Sequence, residues 1–559
     1  MDIAQVSIFQ ATACRIWRTA HRLSWNRLFL WALLVSGAAL RLSLITEQRF
    51  HGDEAIYGYW AQLVASGQDP LLLSVPLDKP PLFIYLLAGI FKLFGPTEIA
   101  ARLISEIASL SAVVLTYKLG QRLYSQPEAL LAAAVMALSP FNILFAATTF
   151  TDPLMVALVL AAMNLATVGH WGWAGVATGL AVATKQQGVL FAPLVVAAGW
   201  IAAWATGRTS TPSASAEPLC RGLTVKALSN DSASQDSRPS IDSACSTRNR
   251  VLNIAQIGLG FLAVTQLLIG WDALRWRVRA SFWEQSAVSH GPVHLVNWWE
   301  LGGRLADWSK LLNYVLGSPV MNAALLLGIP LLLWRNLWAM KVSSDRTRRI
   351  DWLLAGFGAF FFLVHWLFSF SVWDRYLLGL VPLTSLLLAR VMWQGLTWAG
   401  LSRLCPTGLL IVLLLAMPAA GAVQGKVPIG GDQRTYLGLE EVVAFFRQEV
   451  PPNSVVWHHY LGWHYFHYLF GAPLDLRWYA APETLATLAS QARDVPNYVT
   501  FPAWEKESEV ETQAALEAIG LGLMPERHVQ REDGSPAFTV YRIITADRQP
   551  GVTWMSENR

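Results

Sequence analysis

Charged residues are scarce in this chain of 559 residues: they make up 14% of it, while hydrophobic residues make up 54%. A soluble globular protein carries about a quarter charged residues, so an ordinary soluble protein is excluded. The net charge of +4 says little about partners, because in a membrane protein the position of each charge matters more than the sum. No nucleic-acid partner is expected.

Several common sequence signals are also missing. The N-terminal stretch is polar and basic but lacks the short apolar core and small-residue cleavage site of a signal peptide, so we expect a retained cytoplasmic tail over residues 1–27. The chain has no Gly-rich phosphate loop and no Asp-x-Asp set in a soluble α/β pattern, which argues against an enzyme that uses nucleotide sugars. It has no short-period repeat of the solenoid type.

Long apolar runs are abundant instead. A membrane-spanning helix needs about 20 apolar residues, and such runs recur along most of the chain. The candidate spans are residues 28–45, 99–117, 129–147, 154–168, 173–184, 189–205, 251–270, 320–338, 352–370, 376–393 and 407–423. The sequence therefore predicts an α-helical polytopic membrane protein, with about 11 transmembrane helices in a membrane domain over residues 28–423.

A further run, PPLFIYLLAGIFKLFG at residues 80–95, is ambiguous because it is short, opens with two prolines and contains Lys92. It either spans the membrane or lies in the interface with its apolar face in lipid. Only the interfacial placement puts Lys118, Arg122, residues 206–250 and the KVSSDRTRR loop at the cytoplasmic face, where positive charge accumulates. We therefore expect eleven spans, with the N-terminus inside and the C-terminus outside. All four cysteines then lie at the cytoplasmic side, where thiols stay reduced.

The segments outside the spans differ in composition. Residues 46–98 are expected to form an external loop that includes the interfacial helix, and residues 271–318 a second external loop with aromatic segments. Residues 206–250, rich in Ser, Pro, Asp and Arg, predict a disordered cytoplasmic loop. Residues 424–559 read as ordinary globular sequence. Helices over EEVVAFFRQEV and PETLATLASQA, and strands over NSVVWHHY and PAFTVYRII, predict a small external α/β domain there.

In this topology several charged side chains lie at one membrane face, each at the end of a predicted helix. They are Asp53, Glu54, Asp78, Lys79, Asp152, Lys185, Asp374 and Arg375. Arg275, in WDALRWRVR, adds a cation that the positive-inside rule would not place outside, so either the topology is wrong there or that cation has a function. A single charge at a span end is often only an anchor. Three acids with two lysines at one face indicate a site for a phosphorylated ligand and a proton acceptor.

Four stretches carry a resemblance to a known group of enzymes. They are HGDEAIYGYWAQLVASGQDP, LDKPPLFIYLLAGIFKLFGPTEIAARL, LSPFNILFAATTFTDPLMV and GLAVATKQQGVLFAPL. In them the chain resembles the GT-C membrane glycosyltransferases, and within that class the group of the protein O-mannosyltransferases and the lipid A aminoarabinose transferase. WDRYLLGLVP is a weaker later match, and the C-terminal domain does not identify a subgroup. The family's juxtamembrane helices agree with the interfacial placement of residues 80–95.

The resemblance implies a glycosyltransferase of the cell membrane, plasma or inner. Such enzymes take a sugar from a polyprenyl-phosphate carrier and pass it, with inversion, to a glycan, lipid or protein acceptor at the outer face. It implies that Asp53 occupies the position of the catalytic acid, Asp152 that of the second external acid, and Lys185 that of a lysine that contacts phosphate. Asp78 and Lys79 occupy the acid-Lys position, where the family often has Glu.

The chemistry of glycosyl transfer suggests a role for each candidate. Asp53 would accept the acceptor's proton, and Glu54 would either orient it or cap the start of a helix, where an acid is favoured by the dipole. Asp152 would position the acceptor or hold Lys79 in place. Charge-assisted hydrogen bonds to the donor phosphate would come from Lys79, Lys185, Arg275 and Arg375. The candidates for positioning the acceptor are Asp78, His51 and Tyr57, with His51 alternatively a second base, a metal ligand or an interfacial side chain.

No cofactor is expected, and a divalent metal is an open alternative. The stretch WHHYLGWHYFHYLFG holds His458, His459, His464 and His467, close enough together for a zinc site. Without a Cys or an acid nearby, a strand-to-helix segment resting on the bilayer is favoured. The competing class is a transporter or lipid flippase of the cell-envelope glycan pathway, which should show two similar halves and a site at mid-membrane. The sequence shows neither.

Overall fold

The structure, a computed structural model, describes residues 26–46, 49–205, 241–338, 345–400, 404–431 and 434–545. The expected tail over residues 1–27 lies almost wholly outside the described residues, and so does most of the loop over residues 206–250. The described end of that loop differs from the prediction, because it is already helical: a long helix begins at Ile241 and runs to Arg275.

The N-terminal part of the chain is built from helices. They are α1 (residues 26–42), α2 (Gly52–Ser66), α3 (Leu82–Phe94), α4 (Glu98–Leu123), α5 (Gln126–Leu138), α6 (Pro140–Ala146), α7 (Asp152–Thr167), α8 (Trp171–Thr184), α9 (Ala192–Ala205), α10 (Ile241–Arg275), α11 (Phe282–His290), α12 (Leu301–Leu316), α13 (Pro319–Trp338), α14 (Asp345–Leu367), α15 (Val381–Trp398) and α16 (Leu404–Val423). Two short 3-10 helices, Gln186–Phe191 and Asp374–Leu380, lead into α9 and α15.

The polytopic α-helical class is confirmed. Among the described residues, six helical segments are long and apolar enough to cross a membrane, and the bent pair of α5 and α6 makes a seventh. Each of the eleven predicted spans is mostly helical in the structure, several of them as shorter or broken helices. The cytoplasmic position of the N-terminus and the external position of the C-terminus stay predictions.

Helix α3 corresponds to the ambiguous run at residues 80–95. Its 13 residues cover about 20 Å at about 1.5 Å per residue, which falls short of a hydrocarbon core about 30 Å thick. One face buries Phe83 and Leu87, while Leu86 and Leu93 are exposed. A helix divided in this way suits the membrane interface. It packs against α2, so the two helices form one structural unit.

Helices start and break where the candidate charges lie. Helix α7 opens with Asp152 and Pro153, because proline at the first helical position needs no hydrogen bond and an acid there is favoured by the helix dipole. Helix α8 ends before Lys185, whose extended backbone (φ −154°) turns the chain into the 3-10 helix. Asp374 opens the second 3-10 helix. These breaks leave polar side chains at the mouths of otherwise apolar helices.

The C-terminal domain is an α/β domain, as predicted. It comprises α17 (Leu439–Gln448), β1 (Val455–His458), α18 (Gly462–Tyr468), β2 (Asp475–Trp478), α19 (Pro482–Gln491), β3 (Asn497–Pro502), α20 (Lys506–Glu517), β4 (Leu521–Gln530) and β5 (Pro536–Thr545). The strand order is β2-β1-β3-β5-β4, with β1 parallel to β2 and β3, and β5 antiparallel to β3 and β4. The predicted α17, β1, the helix that follows β1 (α18), α19 and β5 are confirmed, whereas β2, β3, β4 and α20 were not predicted.

Both faces of this sheet are covered by helices. Alternate residues of a strand point to opposite faces, so Val456 packs with Phe446 of α17 on one side. On the other side Trp457 packs with Leu485 of α19 and Leu516 of α20. Helix α18, which follows β1, packs against α2. The C-terminal domain therefore contacts the helix that carries Asp53.

Candidate active site

Asp53 lies in the first turn of α2, whose start is fixed by a capping box. His51 Nδ1 accepts a hydrogen bond from the Asp53 backbone N–H (3.1 Å), and Glu54 Oε2 accepts one from the His51 N–H (2.8 Å). These two bonds satisfy backbone donors that the helix itself cannot pair. They set the direction of the Asp53 side chain, which stays 30% exposed at the helix mouth.

The partner of Asp53 is Arg375, which follows the first residue of the second 3-10 helix. Arg375 Nη1 pairs with Asp53 Oδ2, and its guanidinium lies 4.2 Å from the ring centre of Trp373 and 5.3 Å from that of Phe150. Burial is the largest single effect and would raise the pKa of Asp53, but the charge and hydrogen bond of Arg375, with the charges of His51 and Lys79, together hold that pKa below its ordinary value. Asp53 is therefore ionised at neutral pH, as a proton acceptor must be.

Deeper in the same site, Asp152 pairs with Lys185 rather than with Lys79, the lysine that it was expected to hold. The Lys185 Nζ lies 2.5 Å from Asp152 Oδ1, and the two side chains are 7% and 2% exposed. The ammonium also lies 4.6 Å from the ring centre of Tyr376. Burial lowers the pKa of Lys185 to about 8, although the Asp152 carboxylate opposes the change. Lys185 is thus still mostly protonated at pH 7 and can offer a positive charge to an anion.

A third group consists of Asp78, Lys79 and His290. Lys79 Nζ lies 2.5 Å from Asp78 Oδ2, and His290 Nε2 lies 3.1 Å from the same oxygen and 3.0 Å from Lys79 Nζ. The hydrogen bond from His290 and the charge of Lys79 hold the pKa of Asp78 below its ordinary value, against the effect of burial. The Asp78 backbone carbonyl accepts a hydrogen bond from Gln186 Nε2 (2.9 Å), which joins this group to the residue after Lys185.

Aromatic neighbours join the three groups into one external cluster. The external cluster is defined by Asp53, Asp78, Lys79, Asp152, Lys185, His290 and Arg375. The Trp373 ring contacts both the Arg375 guanidinium and, edge-on at 5.5 Å between centres, the His290 ring. Tyr376, the residue after Arg375, lies against Lys185. Helix mouths that are far apart in the chain therefore meet in one site.

Tyr57 and His51 flank this cluster. Tyr57 is one turn beyond Asp53 on α2, is buried, and packs against Trp60 and Phe83. Burial and the nearby Asp53 carboxylate raise the pKa of Tyr57 well above its ordinary value, so it is a neutral phenol. The Nδ1 of His51 accepts the capping bond, which places the ring proton on Nε2. A role for either residue in positioning the acceptor stays a prediction.

Glu54 caps the start of α2, which is one of the two roles that the sequence suggested for it. Its Oε2 accepts the His51 N–H, its Oε1 accepts the N–H of Thr149 (2.6 Å), and the residue is 3% exposed. Both carboxylate oxygens accept hydrogen bonds from backbone N–H groups. The catalytic assignment of Glu54 is therefore corrected to a structural one. The bond to Thr149 also fixes the segment before Asp152 relative to α2.

Arg275 is not brought together with the external cluster. Its guanidinium donates to the carbonyls of Leu71 (3.1 Å) and Leu72 (3.0 Å) and pairs with Asp272 at 3.6 Å. The side chain is 0% exposed, so these buried partners hold the cation and it has no free surface at which to meet a phosphate. Arg275 therefore ties α10 to the loop after α2, and its assignment as a phosphate ligand is corrected.

Sequence reasoning missed His290. It is the last residue of α11, inside the predicted external loop over residues 271–318, and no motif surrounds it. Its position beside Asp78 depends on how α11 folds back over the loop before α3. A histidine at the end of a helix in an external loop gives no local signal of such a contact.

The arrangement can deprotonate a hydroxyl and stabilise an anion within one site. The Asp53 carboxylate is partly exposed and ionised, while cations line the deeper side of the mouth. In the part of the chain that the structure describes, no group of three or more His, Cys, Asp or Glu side chains is arranged to hold a metal ion. Of the four histidines in WHHYLGWHYFHYLFG, His458, His464 and His467 are buried in protein packing.

Comparisons with known proteins agree with this geometry. Residues 78–216 match the model of the dolichyl-phosphate-mannose-protein mannosyltransferase family, a match that includes Asp78, Lys79, Asp152 and Lys185. No curated protein sequence matches the chain. Crystal structures of ArnT from Cupriavidus metallidurans, bound to undecaprenyl phosphate and in the apo state, are 13% identical with a TM-score of 0.56. The first covers 92% of this chain and 98% of ArnT, the second 93% and 98%.

The likeness to ArnT extends over nearly the full length of both chains. The chain has the GT-C fold. The oligosaccharyltransferase of Archaeoglobus fulgidus is a more distant likeness, 14% identical with a TM-score of 0.49, covering 92% of this chain and 74% of that one. The likeness to ArnT confirms the GT-C fold that the N-terminal motifs predicted. In this fold the external cluster, named for the membrane face at which the sequence predicts it, lies at the junction of the membrane helices and the C-terminal domain.

Proposed function

We propose that this chain is an integral membrane glycosyltransferase that moves a sugar from a polyprenyl-phosphate carrier to an acceptor at the extracytoplasmic face, with inversion. The observation that carries the proposal is the external cluster, in which an ionised, partly exposed Asp53 lies beside cations at the mouths of apolar helices. The match of residues 78–216 to a mannosyltransferase family and the GT-C fold support it.

The reaction needs a base on one side of the anomeric carbon and positive charge on the other. The acceptor oxygen attacks the anomeric carbon, its proton passes to Asp53, and the bond between that carbon and the phosphate oxygen breaks. The departing phosphate keeps the electron pair. Lys185 and Arg375 compensate its charge by hydrogen bonds that are stronger for an ionised partner.

Arg375 has a second function in this scheme. Before the donor binds, its charge is neutralised by Asp53. A phosphate that enters the cluster competes for the same guanidinium, which is planar and suited to bind either group. Binding of the donor thus loosens the pair and releases the Asp53 carboxylate for the acceptor. The base becomes available when the leaving group is in place.

The donor is a lipid rather than a nucleotide sugar. Each methylene of a prenyl tail that stays in the membrane contributes about 0.8 kcal/mol, so a carrier delivers its phosphate to helix mouths without leaving the hydrocarbon. ArnT of Cupriavidus metallidurans was crystallised with such a carrier, undecaprenyl phosphate. The competing transporter or flippase would place its polar site at mid-membrane, whereas the external cluster is built from helix ends.

Transfer by the purified full-length protein tests the proposal. The protein in detergent is given labelled polyprenyl-phosphate sugars or the matching nucleotide sugars, with membrane extracts as the source of acceptor, and products are identified by mass spectrometry. We expect label to pass from a lipid-linked sugar to a glycan, lipid or protein, and none from nucleotide sugars. Asp53→Asn is the inactive control. Turnover with a nucleotide sugar alone, or none with any lipid-linked sugar, would contradict the proposal.

A further inference from the structure

Helix α18 of the C-terminal domain lies directly against the start of the catalytic helix α2. Both backbone groups of Phe50, three residues before Asp53, bond to side chains of α18. The Phe50 carbonyl accepts from His464 Nε2 (2.9 Å), and the Phe50 N–H donates to the Tyr468 hydroxyl (3.2 Å). A segment held at both of its polar backbone groups has little freedom to shift, so α18 determines where α2 begins.

The same helix contacts α2 again further along. Gln62 Nε2 lies 2.6 Å from His467 Nδ1 and donates to the His467 carbonyl at 3.1 Å. Gly58 lies one turn earlier on the same face of α2, where a Cβ would come within 2.7 Å of His467 Nδ1. Only glycine leaves room for the imidazole at this point. The contacts at Phe50, Gly58 and Gln62 fix both the position and the rotation of α2.

The histidines of this contact are neutral: His464 donates a hydrogen bond, whereas His467 Nδ1 accepts one from the Gln62 amide. A carbonyl only accepts hydrogen bonds, so the contact with Phe50 requires the proton of His464 on Nε2. Burial lowers the pKa of His464 to about 4 and that of His467 to about 3. The contact therefore keeps the same protonation over the whole range in which an enzyme of this kind works.

The linker between α16 and the C-terminal domain holds the other member of the catalytic pair. Asp374 Oδ2 accepts the N–H of Gly430 (2.8 Å), while Asp374 Oδ1 accepts the N–H of Arg375 (2.7 Å). Gly430 has a φ of +84°, a conformation that favours glycine. Asp374 thus connects the linker to the backbone of Arg375 and limits its movement.

We propose that the C-terminal domain is a positioning element of the active site, with His464 setting the position of Asp53 through Phe50 and Asp374 setting that of Arg375. The inference rests on the proposed function for its kinetic readout. A displacement of a catalytic group by about 1 Å can cost about 100-fold in rate. One contact from the domain and one from the linker that leads into it hold the two members of the pair. The domain therefore controls the rate of transfer without contacting the sugar.

Variants of His464 test this in the full-length protein. His464→Phe keeps a ring against Tyr436, whose centre lies 4.3 Å away, but removes the donor to Phe50, whereas His464→Gln keeps an amide donor. We expect His464→Phe to lower kcat about 10- to 100-fold, with KM for the lipid donor changed less than about threefold, and His464→Gln to restore most of kcat. His459→Phe is the matched control, because His459 Nδ1 bonds to a carbonyl within its own domain, that of Tyr479. It should behave as wild type.

Hydrogen exchange gives a readout that needs no activity. The peptide over residues 50–57 should exchange at least about tenfold faster in His464→Phe than in wild type, while peptides from β1 and β3 stay unchanged. If His464→Phe does not fold, Tyr468→Phe removes the other partner of Phe50 and should give the same pattern. Unchanged exchange at residues 50–57, or a normal kcat in both variants, would overturn the inference. Equal acceleration across the whole domain would do so too, since that is general unfolding. If wild type transfers no sugar, the proposed function fails, while hydrogen exchange still decides the inference.

Discussion

The Lys185 ammonium lies 2.5 Å from the Asp152 carboxylate, and neither side chain is more than 7% exposed. The two residues come from different helix mouths, the start of α7 and the end of α8. The cation that we propose for the donor phosphate thus lies next to an acid that neutralises it at rest. Such a pair leaves no uncompensated charge in a largely buried site, while burial brings the pKa of Lys185 close enough to neutral for its charge to depend on pH.

The pH dependence of donor use follows from Lys185. Burial lowers its pKa to about 8, so the ammonium is charged below that pH and neutral above it. We expect kcat/KM for the lipid donor to fall as pH rises through about 8, approaching tenfold per unit. Lys185→Arg should move this limb to higher pH, because a guanidinium stays protonated. Measuring kcat/KM for the lipid donor between pH 6 and about 10 tests this expectation. Lys506→Gln, at an exposed position, is the control. An identical limb in Lys185→Arg would show that another group titrates.

The two acids should differ from ordinary surface carboxylates. Asp53→Asn removes the proton acceptor while keeping its shape, and we expect transfer to fall by about 100- to 10,000-fold. Donor binding should be kept or become tighter, because Arg375 loses the carboxylate with which the phosphate competes. Asp152→Asn should also impair transfer strongly and, by leaving Lys185 without its partner, change donor affinity. Asp494→Asn, an exposed position in the C-terminal domain, serves as the control. A wild-type rate for Asp53→Asn would refute its assignment as the base.

Glu54 should behave as a structural residue. In Glu54→Gln an amide N–H₂ would face either the His51 or the Thr149 N–H, leaving one buried donor without an acceptor. We expect a loss of about 1–3 kcal/mol of unfolding free energy, measured as a lower melting temperature in detergent. Activity per folded molecule should change far less than in Asp53→Asn. Normal stability combined with an inactive enzyme would restore a direct catalytic role. Glu507→Gln is an exposed control.

Gly58 offers a steric test of how the C-terminal domain sits on α2. In Gly58→Ala the new methyl group would lie 2.7 Å from Nδ1 of His467, so one of the two helices must shift. We expect faster proteolysis within residues 424–438 and a lower transfer rate. Gly89→Ala, at a helical glycine of α3 with nothing within 4 Å of the new carbon, should be neutral or slightly stabilising. Equal behaviour of the two variants would show that the contact has little effect.

The topology can be tested by labelling. In a variant whose four cysteines are replaced by serine, a single cysteine at exposed Glu507 should react with a membrane-impermeant maleimide in intact cells. A cysteine at Lys118, exposed at the other end of the membrane domain in the predicted topology, should react only after the membrane is permeabilised. The opposite pattern would refute both the external C-terminal domain and the shared external site.

Sequence reasoning succeeded where the signal is local, or where it follows from the number of times the chain crosses the membrane before each loop. Apolar runs predicted the helices, and the placement of basic loops put Asp53, Asp78 and Asp152 at one face, where the structure brings them together. The sequence cannot show which atoms of a side chain already form hydrogen bonds within the folded protein. The role of Glu54 depends on an N–H at residue 149, and that of Arg275 on two carbonyls more than 200 positions away.

Contacts between distant segments account for the remaining errors. His290 meets Asp78 across 212 positions, and no pattern near either residue indicates the pairing. In the C-terminal domain, β2 is largely exposed, and its alternation of polar and apolar residues extends over only four positions, too few to distinguish a strand from a loop. Strand β4 is regular only through its pairing with β5, which includes two irregularities in register. These elements are defined by their neighbours rather than by their own residues.

The contact between Phe50 and His464 joins residues that are 414 positions apart. A ribosome adding about 5–20 residues per second needs tens of seconds to make the chain between them. For most of that interval the helix with Asp53 is already outside the ribosome, while the residues that fix it do not yet exist. If the proposed positioning holds, a nascent chain, or one released early, carries Asp53 and Asp152 in the membrane without the geometry for transfer. Synthesis of the last part of the chain would then be the step that makes transfer possible.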